Sequence, residues 1–146
     1  MDSTSVENRI VDGLRRRYPF RPPGGVGLGD DAAVFSLREK AVVTTDSLVD
    51  GVHFDRRYFS MEDIGWKSAA QNLSDIAAMG ATPRYAFVSI GAPRAAIREI
   101  PNFYKGFDAV ARAYGVRVLG GNLTRASRLF VAVTLVGETA SPLLRS

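Results

Sequence analysis

The chain has 146 residues, 46% of them hydrophobic and 23% charged, which suits one domain with its own core and excludes disordered, collagen-like and repeat architectures. Its net charge of +4 comes from dispersed arginines rather than a basic stripe interleaved with aromatics, so anionic small molecules are expected as partners and nucleic acid is not. The lack of cysteine and the single histidine exclude disulfides and multi-histidine zinc sites, and no apolar stretch approaches the roughly 18 residues of a membrane span.

Thr4-x-x-Glu7 resembles a helix-capping box, and Val6, Ile10 and Leu14 follow at helical spacing, so residues 4–17 are expected to form an amphipathic helix. YPFRPPGGVGLG ends it. Residues 32–37 and 41–45 read as short strands parted by the polar turn at 38–40. After the irregular DSLVDGVHFDRRYF, Ser60-x-x-Asp63 starts a long helix that stops at Gly80. A strand at 85–91 precedes a helix over 95–114, with Pro101 implying a break or late start. Strands at 116–119 and 129–137 follow, and the polar, proline-broken ETASPLLRS reads as a linker. The order α, β, β, α, β, α, β, β predicts an α/β (α+β) sandwich: a mixed four-to-five-stranded sheet covered by helices.

PGGVGLGDD lacks the Lys-Ser/Thr ending of a P-loop and the spacing of a dinucleotide fingerprint, so alone it fits a solvated tight turn as well as a ligand loop. It is accompanied by Thr44, Thr45 and Asp46 at a strand end, where α/β folds gather ligand groups. Asp75 adds a carboxylate inside the apolar helix stretch LSDIAAM; it is either buried with a partner or on the wet face. Asp30, Asp46 and Asp75, with the two threonines, are the oxygen donors that magnesium takes beside water and phosphate, provided the fold brings them together. Asp31, on the other side of an extended segment, would orient the turn. His53 reads as a general base, a substrate contact or a plain loop residue. The Asn-x-Ser/Thr matches at Asn72 and Asn122 are taken as chance, because the start MDSTSVENRI has no signal pattern.

GLGDDAAV, VVTTDSLVDGVHF, DIGWKSAAQNLSDIAAMGATPRYAFVSIGAP, YGVRVLGGNLTR and VTLVGE occur in this order, and together they resemble the N-terminal half of the thiamine-monophosphate kinase family, in the aminoimidazole-ribonucleotide-synthetase-like superfamily. The lack of a membrane span or signal pattern reads as cytoplasmic. The resemblance implies a homodimer, its small sheets paired across the interface, that uses ATP and magnesium to phosphorylate thiamine phosphate to thiamine diphosphate. It implies Asp30, Thr44, Thr45, Asp46, Asp75 and Asn122 as magnesium ligands, His53 as the thiamine phosphate contact, and Tyr104, Gly121, Asn122 and Arg145 as ATP contacts. Asn122 stands where the family usually has an aspartate, and the family continues into a second domain beyond residue 146. Residues 1–137 would then be the metal, ATP and dimerisation domain and 138–146 the start of a linker, with no turnover expected from the isolated chain. The alternative is a non-catalytic dimerisation or nucleotide-sensing module of the same superfamily.

Overall fold

The computed structural model describes residues 3–144. In chain order the elements are α1 (Ser3–Arg17), β1 (Lys40–Val49), α2 (Met61–Ala78), β2 (Thr82–Ala92), α3 (Ile100–Ala111), β3 (Arg117–Arg125) and β4 (Phe130–Thr139). The strands form one mixed sheet in the order β1-β4-β2-β3, in which β4 runs antiparallel to both neighbours and β2 pairs with β3 in parallel. Thr4, the expected cap of α1, lies outside the described side chains, and Arg145 lies outside the described residues.

Side chains alternate across each strand, so the sheet has two unlike faces. Val131, Val133 and Leu135 of β4 pair in register with Ile90, Val88 and Ala86 of β2, and all six are buried with Met61, Ile64, Phe103 and Phe107 of the helices. This is the core. On the other face, Val43 and Thr45 of β1 are exposed and Thr134 of β4 is half-buried, while the segment between α1 and β1 covers β2 by packing Phe20 and Phe35 against Tyr85.

α2 begins where the sequence places it. The Ser60 hydroxyl accepts from the Asp63 N–H at 3.1 Å, and the Asp63 carboxylate accepts from the Ser60 N–H at 2.9 Å. A single 3-10 turn, Ile97–Glu99, leads into α3, whose Pro101 sits in the first turn, where its missing N–H costs nothing. This is the late start that Pro101 implies.

Three expectations are corrected. Residues 32–37 are no strand: they make only an isolated bridge, Val34 to Val26, and Phe35 packs on aromatic rings instead of joining a ladder. The described sheet therefore has four strands, and the order is α, β, α, β, α, β, β. β4 continues past residue 137 to Thr139, because Glu138 is buried and accepts from the Arg38 N–H and the Arg84 guanidinium, each at 2.8 Å. The tail does not simply leave: the Leu143 N–H donates to the Met79 carbonyl at 3.0 Å, beside Gly80.

Candidate functional site

Gly29 turns the chain with φ +124°, and Asp30 and Asp31 follow it, exposed, the Asp30 carboxylate accepting from the Asp31 N–H at 2.9 Å. Both line a cavity of about 510 Å³, a size suited to a small-molecule ligand. Gly121 and Asn122 of β3, Tyr104 of α3 and Leu14 and Arg15 of α1 share the lining, over apolar surface from Leu28, Phe87 and Val88. Gly121 has φ +153°, and a Cβ there would lie 1.9 Å from the Val88 carbonyl oxygen. Only glycine fits, so β3 offers bare backbone to the cavity at this point.

Tyr104 is buried, stacked edge-on against Phe103, and burial followed by the nearby Asp108 charge pushes its phenol well above the ordinary value. It stays protonated over the physiological range and can serve as a donor. The cavity thus unites Asp30 with Tyr104, Gly121 and Asn122, residues remote in sequence.

Of the other expected metal ligands, Thr44 and Asp75 meet on the helix side of the sheet, away from the cavity. Thr44 and Asp46 lie on the helix side of β1 and Thr45 on the opposite side. The Thr44 hydroxyl donates to the Asp75 carboxylate at 2.8 Å, which fixes an exposed carboxylate at the end of α2 against β1. Asp75 is therefore on the wet face, yet it has a partner. Thr45 accepts instead from Thr134, at 3.2 Å. β1 and β3 are opposite edges of the sheet, about 14 Å apart at normal strand spacing. One magnesium ion, with ligands at about 2 Å, cannot join Asp46 and Asn122 of the same chain.

No group of three or more His, Asp or Glu among the described residues could hold a metal ion unaided. The donor set nevertheless suits magnesium, which commonly uses one or two carboxylates and fills its sphere with water and phosphate oxygens. Asp75, oriented by Thr44, and the exposed Asp30 are donors of that kind.

His53 occupies an exposed turn after β1. Its Nδ1 accepts from the Val49 N–H at 3.1 Å, and its carbonyl accepts from Lys67 Nζ at 2.9 Å. A ring that accepts at Nδ1 carries its proton on Nε2, so that N–H is the group it can give a ligand. Asn72, one of the two chance glycosylation matches, is buried within α2.

Residues 29–139 match the family model for AIR synthase related protein, N-terminal domain. The chain belongs to this family. Within it, the chain is 41% identical over 117 residues to the thiamine-monophosphate kinase of Bacillus subtilis, covering 77% of this chain and 36% of that one. It is 39% identical over 152 aligned positions to the thiamine-monophosphate kinase of Rhodopirellula baltica, covering 97% and 48%. Among solved structures, AaThiL complexed with AMPPCP and TMP aligns with a TM-score of 0.69 at 32% identity, covering 92% of this chain and 42% of that one. The chain spans less than half the length of these relatives.

Sequence reasoning passed over Arg15, Leu28 and Phe87 of the cavity lining. One signal was available for Arg15: with Val11 and Leu14 it shares a helix face at spacings of three and four.

Proposed function

We propose that this chain is the nucleotide- and metal-binding half of a thiamine-monophosphate kinase, which transfers the terminal phosphoryl group of ATP to thiamine phosphate, giving thiamine diphosphate. The observation that carries the reading is the cavity that gathers Asp30, Tyr104, Gly121 and Asn122, in a chain resembling a protein complexed with AMPPCP and TMP. Phosphoryl transfer asks mainly for positioning and charge neutralisation, so the site needs no protein nucleophile.

Asp30, Thr44, Asp46, Asp75 and Asn122 would hold magnesium, which when bound neutralises phosphate charge, while the expected ligand Thr45 turns its side chain to the far face of β1. Tyr104 and the bare backbone at Gly121 would hold the nucleotide, with Arg145. His53 would donate from Nε2 to the phosphate of thiamine phosphate. The two groups of metal ligands lie at opposite sheet edges, and a homodimer joined through the open sheet face would let one copy complete the site of the other. Exposed Val43 and Thr45 on that face support this arrangement. In this reading the enzyme is cytoplasmic.

The test is calorimetric titration of a non-hydrolysable ATP analogue into the chain, with and without millimolar magnesium. Binding that strengthens with magnesium is expected, and Asp75→Asn should lose that increment while keeping its melting temperature, since an amide oxygen still accepts from Thr44. Undiminished magnesium dependence in the variant would remove Asp75 from the metal site. Absence of nucleotide binding by the unaltered chain would overturn the nucleotide reading itself.

A further inference from the structure

Arg15 is the one cation among the described residues that line the cavity, and it stands at the carboxylate end. Its Nε lies 3.8 Å from where a Cβ on Gly29 would be, one residue before Asp30. Despite that nearness it pairs with neither Asp30 nor Asp31 within ion-pair distance. Its salt bridge runs along the same helix to Asp12, at 3.7 Å with both side chains more than half exposed. Such a pair is weak and readily exchanged for a better anion.

The cavity's charge makes that exchange useful. Two carboxylates and one guanidinium leave the lining net negative, which repels a polyphosphate unless cations intervene. Magnesium supplies some of that charge in the reading above. A guanidinium supplies it directly, in a planar fork that matches phosphate oxygens. We propose that Arg15 is a phosphate-contacting residue of this site, released from Asp12 to bind the phosphate end of the nucleotide beside Asp30. The proposal rests on the nucleotide reading of the cavity.

A purely structural Arg15 would only soften the repulsion between Asp30 and Asp31, and the two roles separate by ligand charge. The experiment compares the unaltered chain with Arg15→Gln and Arg15→Lys in titrations with adenosine, AMP, ADP and a non-hydrolysable ATP analogue, at low and moderate salt with magnesium present. Arg15→Gln should weaken the ATP analogue about tenfold, the loss shrinking stepwise toward none for adenosine and at higher salt. Arg15→Lys should recover part of it, because charge returns without the fork. Melting temperatures of both variants should match the unaltered chain, since Gln and Lys are good helix formers. Equal loss for all four ligands, or none for the ATP analogue, would overturn the proposal while leaving the nucleotide reading intact. Failure of the unaltered chain to bind any nucleotide would overturn both.

Discussion

Asp108 is a buried carboxylate that ties the end of α1 to α3. It is 6% exposed on α3, and it accepts from the Tyr18 hydroxyl at 2.7 Å and from Arg17 Nε at 2.8 Å, with Arg112 at 3.1 Å. Burial and then the bond to Asp108 raise the Tyr18 phenol far above its ordinary value, so the tyrosine is a fixed donor. Asp108→Ala would strand that buried hydroxyl and two guanidiniums. Arg112 is well exposed and Arg17 partly so, which lowers the cost below that of a fully buried pair, to about 2–3 kcal/mol. Urea unfolding checks this, and a loss below about 0.5 kcal/mol, the level of an ordinary surface substitution, would deny Asp108 its role. From sequence, Asp75 drew attention because it sits among apolar residues, and the same is true of Asp108 beside Phe107 and Val110. Helical spacing cannot tell which of the two faces inward. Asp108's partners Arg17 and Tyr18 lie some ninety positions away, and their approach is a property of the fold.

α2 and α3 meet through glycines. A Cβ on Gly65 would lie 1.9 Å from the Phe103 carbonyl oxygen, and one on Gly106 would lie 1.8 Å from that of Glu62. Each helix therefore presses its backbone on the other, with Ile64, Phe103 and Phe107 packed around the crossing. Gly65→Ala gains helix propensity of up to about 1 kcal/mol yet must part the helices, and overpacking should dominate by about 2 kcal/mol or more. Chemical denaturation decides the sign: a stabilised variant would mean the helices separate freely. Sequence reading registers a mid-helix glycine only as a weakness, because contact with a second backbone has no local signature. The capping box at Ser60 was legible for the opposite reason, since donor and acceptor are three residues apart. β1 and β3 run longer than their apolar cores suggest, as polar Asp46 and Ser47 and the Gly-Gly-Asn of β3 still join the ladder. At 32–37 the reverse holds, and an apolar run that looks like a strand serves aromatic packing on β2.

At the scale of the whole molecule, strand order decides which predicted ligands meet. Sequence motifs nominated Asp30, Asp46 and Asp75 and the family resemblance added Asn122, but placing β1 and β3 at opposite edges divides them into two groups. No pattern along the chain carries that information, because it depends on β4 inserting between β1 and β2. The cavity between α1, β3 and the Gly29 turn is the centre of the functional account. A crystal structure of the chain grown with manganese and a non-hydrolysable ATP analogue tests it most directly, manganese marking the metal by anomalous scattering. The nucleotide is expected in this cavity against Tyr104 and Gly121, its phosphates beside Asp30 and Arg15, with manganese on the aspartates. Nucleotide bound instead in the neighbouring groove lined by Arg9, Arg17 and Arg98, or metal remote from Asp30 and Asp75 alike, would contradict this expectation.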